Sequence, residues 1–435
     1  MAEEPLLDVE IDDGGASSEL SSSFTLANAC IGSGILSFPF AFRKAGTVSG
    51  SLIFLTFALL LGFSVHVVVL SIAVAQRQNP RVQHYQDLVN LCGGRRLALF
   101  MEVSMTVYLF GAGIAMQIII VDSSIPLLGM LASRSESTLF QETLANASFV
   151  AFASALFVLL PMCAQRSLHA LRHVSRFAVM GVGYTVLMVV SEFFLRPSDL
   201  DIGIVEEFRF GSSVFMSLPI FVYALGCHLN APIIFSTMHP KIRNVAAFDR
   251  VVVCAYAVAI LFYLPIGLFG YMSFGEQTPE DILAAPTLGT ASLAGYSMHN
   301  SFANAARLAI AFNTCACYAL AWFPARSMLC SLGQRLMAKQ QEHVQLSQGS
   351  LFSSAALWVG SGALIASHFR RLGLLFDLIG AIFGSFEVFF YPGLFWWSLC
   401  AKDSAFGSMP AYMLWTIGAC TMITGTVVTI MNGST

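Results

Sequence analysis

The chain predicts an all-α, polytopic membrane protein with about eleven transmembrane helices, arranged as a 5+5 inverted repeat whose helices one and six are broken. Three observations carry this prediction. Hydrophobic residues make up 56 % of the 435 and charged residues only 11 %, against about 25 % charged in a typical soluble domain. Mean hydropathy is +0.73, with 37 phenylalanines. The first and sixth apolar stretches are also interrupted in the same way, by small residues and proline.

Stretches of about 20 apolar residues fall at about 22–44, 48–75, 98–128, 147–164, 174–195, 211–236, 247–274, 304–331, 351–367, 373–399 and 408–431. Residues 1–21 read as a disordered acidic cytosolic tail and 22–431 as the transmembrane domain. Repeat one runs about 22–195, repeat two about 211–399, and an extra helix about 408–431. Val82 to Val89 reads as a short amphipathic helix at the interface. The first twenty residues carry Glu3, Glu4, Asp8, Glu10, Asp12, Asp13 and Glu19 and no Lys or Arg, the reverse of a basic signal-peptide start. Glu4-Pro5-Leu6-Leu7 is a near miss for an acidic dileucine sorting signal.

Lys/Arg bias sets the orientation. A cytosolic N-terminus puts Arg77, Arg81, Arg95, Arg96, Arg166, Arg172, Arg176, Lys241, Arg243, Arg250, Arg326, Arg335 and Lys339 inside. Asp199, Asp201, Glu206, Glu207, Glu276, Glu280 and Asp281 then gather outside, with Asn146-Ala147-Ser148 as a glycosylation acceptor. Arg370 and Arg371 are exceptions. The ten cysteines lie in or beside apolar spans and read as packing groups, without a structural disulfide. No nucleic-acid partner is expected at a net charge of -3. No metal site is expected either; Cys315 and Cys317 point in different directions on a helix.

The breaks carry the chemistry. The first is Asn28-Ala29-Cys30-Ile31-Gly32-Ser33-Gly34-Ile35-Leu36; the second is Tyr223-Ala224-Leu225-Gly226-Cys227-His228-Leu229-Asn230-Ala231-Pro232. Backbone cannot lie bare in hydrocarbon, so unwound chain at membrane depth implies a polar cavity. An odd number of helices per repeat inverts the second copy and runs the broken helices antiparallel. That is the LeuT-class arrangement, with both breaks at the midplane. Amides near Gly34, at the start of a half-helix, suit a carboxylate. Carbonyls near Asn28 to Cys30 suit an ammonium or a small cation. One unwound turn thus fits a zwitterion, with Gly32 and Gly34 allowing close approach and unusual dihedrals. Close helix packing through small residues is the competing explanation.

These residues resemble the amino acid/auxin permease superfamily, in particular its sodium-coupled neutral amino acid transporter branch. The first-break motif is similar to the family's Asn-Ala-x-x-Gly-Ser-Gly-Ile-Leu. His84-Tyr85-Gln86-Asp87-Leu88 with Gly93, Ile118-Ile119-Ile120-Val121-Asp122, Cys227-His228, and Arg307-Leu308-Ala309 with Phe323-Pro324-x-Arg326 follow in the family's order. The resemblance implies substrate held between spans one and six. Gly32, Ser33 and Gly34 would bind its carboxylate, and Asn28 and Ile31 its amino group or a cation. Tyr223, Ala224, Gly226, Cys227 and His228 would line the side-chain pocket. It also implies sodium at Asn28, Ile31 and a hydroxyl on span eight. There the sequence reads Asn313-Thr314-Cys315-Ala316-Cys317, with Thr314 the available hydroxyl. Thiols are poor ligands for hard cations, which puts sodium in question.

Glu387 lies mid-span in the tenth stretch. Ionisable groups inside a membrane are functional candidates, and Glu387 is either a proton carrier, a partner of His66 or His228, or part of the lining of a wet vestibule. His228 is either a pocket wall or a proton relay. Asp122, Glu192 and Asp377 read as solvated near span ends, Asp377 alternatively paired with Arg370 or Arg371, and Glu102 as paired with an inner Arg. No Walker A loop, zinc signature or nucleophile elbow occurs, so an enzyme is not expected. The sequence therefore predicts a secondary active carrier of amino acids, neutral ones first, driven by a proton or sodium gradient and using no other cofactor. Its partners are the substrate and the lipid bilayer of the plasma membrane or a vacuolar/lysosomal membrane. The alternative is a transporter-like amino-acid sensor.

Overall fold

In the computed structural model, residues 17–80, 82–132, 137–165, 171–195, 204–283, 300–336, 348–369 and 372–433 are described. Residues 1–16 with Leu6 and Leu7, as well as Arg81, Arg166, Asp199, Asp201, Lys339, Arg370 and Arg371, lie outside them. Helix dominates, and an isolated bridge between Ser17 and Met238 is the β-type pairing among the described residues. The elements are α1 (Glu19–Cys30), α2 (Phe38–Ala45), α3 (Thr47–Gln78), α4 (Tyr85–Ala132) and α5 (Thr138–Ala145). There follow α6 (Ala147–Cys163), α7 (Leu171–Leu195), α8 (Ser212–Leu225), α9 (Ala231–Thr237) and α10 (Val245–Phe274). The last are α11 (Ser301–Leu336), α12 (Gln348–His368), α13 (Leu372–Ile379) and α14 (Met409–Gly433).

Among the described residues, seven helices are long and apolar enough to cross a membrane. The bent pair α1 and α2, turned by 53° at its break, makes eight. Three expected spans fall short for visible reasons. α6 is a shorter apolar helix, α8 stops at a break, and the tenth stretch loses regular geometry after α13. There the chain passes through π-helical segments Gly380–Gly384, Phe386–Phe390 and Trp396–Cys400, wide turns that often mark functional positions.

Short-range chemistry explains the element ends. Ser18 accepts from the Ser21 amide at the start of α1, Asn146 from Ser148 and Phe149 before α6, and Asn244 from Ala247 before α10. α1 therefore begins at Glu19, ahead of the expected 22, and Glu19 to Ser21 are helical rather than disordered. Asp87 accepts from the Gln83 and His84 amides at 3.0 and 2.9 Å, which gives its motif a capping role. Gly94, at φ 73°, breaks α4 between the short first helix and the long one. Pro39 and Pro232 sit in the first turns of α2 and α9, where a missing N–H costs nothing.

The packing separates into two groups. α1, α2, α3, α8, α9 and α10 pack on one another, while α4, α6, α11 and α12 form a second group. α7 bridges α10 and α11, and α13 bridges α8 and α4. Polar ties fix the ends. Buried Arg307 donates to the Leu283 carbonyl and Asn304, at 3.2 and 2.7 Å, and Trp322 donates to the Cys163 carbonyl at 3.0 Å. Glu102, buried on α4, accepts from Ser331 at 2.9 Å. At the face where α1 begins, Glu19 takes Arg250 in two hydrogen bonds of 2.7 and 3.0 Å.

Arg209 organises the opposite face. It donates to the Arg43 carbonyl and to Glu206, both at 2.7 Å, and to Glu276. Arg43 in turn donates to the Thr278 carbonyl at 2.8 Å. Gly46 at φ 87° lies so close that an added Cβ would stand 2.8 Å from the Glu207 carbonyl. The loop before α8, the end of α2 and the end of α10 are thus tied together. The Arg209 guanidinium holds Glu206 below the usual carboxylate value of 4.5. A depressed pKa contributes stability above the unfolded value and loses it as pH falls through the folded one. Hydrogen-exchange protection of residues 206–209, corrected for intrinsic rates, is therefore expected to hold above the ordinary carboxylate value of 4.5 and to be lost as pH falls below it. Arg209→Ala is expected to remove it at every pH; protection that survives Arg209→Ala would show the tie to be incidental.

Candidate functional site

The first break is the pair Ile31 and Gly32, between α1 and a 3-10 turn, Ser33–Ser37, that leads into α2. The second is residues 226–230, between α8 and α9. The glycines of the breaks do not use left-handed backbone: Gly32 has φ −81° and Gly226 φ −71°. The expected unusual dihedrals are therefore absent, and the glycines contribute space instead. A Cβ on Gly34 would meet Ala224 Cβ and the Tyr223 ring at 3.3 Å, so Gly34 is where the two breaks abut. A Cβ on Gly32 would meet nothing within 4 Å. Gly32 faces open space.

Broken helices leave carbonyls without intrahelical donors. Two tyrosines on α10, two helical turns apart and so on one face, supply them. Tyr263 directs its single hydroxyl proton at both the Cys30 and Ala224 carbonyls, at 2.9 and 3.2 Å, joining the two breaks. Tyr256 donates to the Leu225 carbonyl at 3.1 Å. Both side chains are buried. Neither residue was singled out by the sequence, although paired hydroxyls on one face of an otherwise apolar helix are a readable signal.

Glu387 comes to the second break from the π-helical segment of the tenth stretch. Its Oε1 accepts from the Leu229 amide at 3.2 Å, and its Oε2 is buried. Tyr85 donates to the Glu387 carbonyl at 2.6 Å, and Ser64 donates to that of Val388. The Tyr108 hydroxyl lies beside Gly226. Neither histidine is the partner of Glu387. His66 on α3 pairs instead with Asp249 on α10 at 2.6 Å, and both ring nitrogens of wholly buried His228 lack partners. Tyr223 packs tilted against Phe376, with ring centroids 4.5 Å apart, and approaches Tyr108 edge-on at 6.2 Å. Asp377, next in sequence to Phe376, is buried at 3 % exposure rather than solvated. It lies within α13, just before the π-helical segment Gly380–Gly384, and no local pattern signals that burial.

Oxygens without donors gather on the same elements. Asn28 Oδ1, Ser37 Oγ and Thr314 Oγ1 are buried and unpartnered, and α11 packs against the 3-10 turn of the first break. Asn313 Oδ1 accepts only a weak contact from the Cys317 thiol, at 3.7 Å. Ile31 and Ala224 are buried packing residues, and the Ile31 amide is taken by the Ala27 carbonyl at 2.7 Å. An unmade hydrogen bond in a buried site costs about 1–3 kcal/mol. Tyr263→Phe and Tyr256→Phe are accordingly expected to lower the thermal midpoint of the purified protein, each by about that free energy. Tyr412→Phe, on an exposed tyrosine, serves as the control; equal melting of Tyr263→Phe and Tyr412→Phe would contradict the role assigned to α10.

Comparison with known proteins gives this geometry its setting. A family model described as transmembrane amino acid transporter protein matches residues 15–431. Sodium-coupled neutral amino acid transporter 7 of Danio rerio is 24 % identical over 387 residues, covering 88 % of this chain and 79 % of the relative. The Homo sapiens protein of that name is 25 % identical over 388 residues, with the same shares, 88 % and 79 %. Vacuolar amino acid transporter 2 of Saccharomyces cerevisiae is 26 % identical over 420 residues, covering 94 % and 83 %. The crystal structure of MhsT in complex with L-phenylalanine superposes with a TM-score of 0.62 at 11 % identity, covering 95 % of this chain and 99 % of that one. A Na+-coupled sialic acid symporter gives 0.52 at 12 %, covering 98 % and 92 %. At such identities the two structures establish the fold, a LeuT-type helical membrane architecture. The chain belongs to the transmembrane amino acid transporter family, the amino acid/auxin permease group its motifs resemble, and is a transporter rather than an enzyme.

Proposed function

We propose that the protein carries neutral amino acids across a membrane in symport with protons, with the substrate seated between the two breaks. The observation that supports proton coupling is the contact of Glu387 with the Leu229 amide, which leaves its second oxygen buried at the break. A carboxylate and a carboxylic acid differ in charge and in donors, so taking up a proton changes what that oxygen can do at the break. Gly32 supplies room for the substrate carboxylate, with Ser33 and Gly34 continuing the turn. Asn28 and the backbone near Ile31 face the amino group. Tyr223, Ala224, Gly226, Cys227 and His228 shape the side-chain pocket, and their apolar, aromatic character favours neutral side chains. Alternating access follows from movement of the group that holds the breaks against the second group. Some relatives carry the word vacuolar in their names; together with proton coupling, that favours the membrane of an acidic compartment for this chain.

Sodium coupling is the second reading, and a specific observation favours it. Asn28 Oδ1, Thr314 Oγ1 and Ser37 Oγ are buried oxygens without donors, the ligand type hard cations prefer. Several relatives are named as sodium-coupled transporters. Uptake of a radiolabelled neutral amino-acid mixture into proteoliposomes under an imposed proton or sodium gradient separates the two. A proton gradient alone is expected to drive wild-type uptake. Glu387→Gln is expected to lower that uptake at least about tenfold, within the usual range of coupling between two sites. Thr314→Ala is expected to leave it intact. Gly32→Ala, which meets no neighbour, is expected to keep the fold and lose uptake. Sodium-driven uptake indifferent to Glu387→Gln would overturn proton coupling, and saturable binding without uptake under either gradient would favour a sensor.

A further inference from the structure

The outer side of α4 carries an arrangement that transport between the breaks does not use. Phe100, Val103 and Val107 are 47, 43 and 46 % exposed. With Arg96 they follow at helical steps of four, three and four, so the arginine heads an apolar stripe on one face. Apolar exposure by itself means contact with lipid tails, as on any spanning helix. The head of the stripe is what sets it apart. Gly94, at φ 73°, turns the chain there and leaves both Arg95 and Arg96 exposed. Among the described residues, no ion pair involves either guanidinium.

The tenth stretch flanks this stripe. Phe386 meets Phe100 edge-on with ring centroids 5.3 Å apart, and Phe390 lies 5.0 Å from Phe386. Both Phe386 and Phe390 stay partly exposed. Phe386 is next in sequence to Glu387, whose side chain is buried. The segment that presents Glu387 to the second break therefore shows its other side to this corner of α4. Two features select the ligand. Paired guanidinium groups suit a phosphate, through forked charge-assisted hydrogen bonds. A soluble anion gains nothing from the apolar stripe, whereas a phospholipid uses stripe and arginines together. Basic positions between helices on the cytosolic side are where anionic headgroups bind, and the Lys/Arg bias assigns Arg95 and Arg96 to that side.

We infer that one anionic phospholipid docks between α4 and the tenth stretch, its phosphate on Arg95 and Arg96 and an acyl chain along Phe100, Val103 and Val107, and that it promotes uptake by steadying the segment that carries Glu387. The docking stands on the stripe, the arginines and the Phe100–Phe386 contact. The effect on uptake rests on the proposed function, whereas the docking does not.

The test titrates purified full-length protein in detergent with dioctanoyl phosphatidylserine, dioctanoyl phosphatidylcholine or inorganic phosphate, and native mass spectrometry counts the molecules bound per chain. One phosphatidylserine is expected, held more tightly than phosphatidylcholine, with no binding of phosphate. The double variant Arg95→Gln with Arg96→Gln is expected to weaken it about thirtyfold, from the usual contribution of two arginines at a membrane surface. Val103→Asn, on the exposed stripe, is expected to weaken it as well, while Lys241→Gln, exposed ahead of α10, leaves it unchanged. Melting curves show whether each variant is folded. Equal binding of the two lipids, or binding untouched by both the double variant and Val103→Asn, would overturn the site. Displacement of the lipid by inorganic phosphate would make it a site for free anions and overturn the lipid assignment. In proteoliposomes, adding phosphatidylserine to phosphatidylcholine is expected to raise proton-driven uptake by the wild type and not by the double variant. Uptake indifferent to phosphatidylserine while binding persists would overturn the effect on transport. Variant-sensitive binding by a protein that transports nothing in either membrane would sink the transport reading while supporting the site.

Discussion

Backbone released from a helix inside a membrane must find a partner, because no water is there to supply one. The hydroxyls of Tyr256 and Tyr263 answer that requirement for the carbonyls of Cys30, Ala224 and Leu225. Much else follows from where those tyrosines stand. They sit on one face of α10, so α10 must run behind both breaks, and α1, α2 and α3 pack on it. Tyr263 reaches a carbonyl from each broken helix, which fixes the two breaks relative to each other. Gly34 then lets Ala224 and Tyr223 close to contact distance.

The amide side of the second break is met differently, and that difference links fold to function. The Leu229 amide is met by Glu387, a group that can change charge, whereas the carbonyls are met by tyrosines that remain neutral. The break is thus rigid where hydroxyls hold it and responsive where the carboxyl does. Glu387 belongs to neither packed group; it arrives from the chain that continues α13, which touches both α8 and α4. It lies buried in the π-helical segment Phe386–Phe390, a geometry that often marks functional positions. A site built from one group and a titratable arm is suited to couple proton binding to movement of that group.

Much of this was legible in the residues. Gly32, Gly226 and Pro232 marked both breaks, because small residues and proline in apolar helices leave a strong local signal. Glu387 stood out as a charge in a run of Phe, Val and Ile. What the sequence hid is long-range pairing. His66 meets Asp249 and Glu387 meets Leu229 across separations of 183 and 158 residues, which no local pattern encodes. Asp377 looked like a solvated span end, but α13 packs it inside. The glycines misled in one respect: dihedral freedom was expected, and Gly32 and Gly226 keep negative φ, with open space at Gly32. Span counting by length likewise misses helices that are interrupted for a purpose.

The central claim is that amino-acid binding between the breaks is linked to the proton on Glu387. The most direct measurement is calorimetric titration of a neutral amino acid into purified protein, in buffers of differing ionisation enthalpy. The slope of binding heat against buffer enthalpy counts protons exchanged per substrate bound. A non-zero slope for the wild type, lost in Glu387→Gln with binding retained, is the predicted result. A zero slope in the wild type, or the same slope in both proteins, would contradict the account.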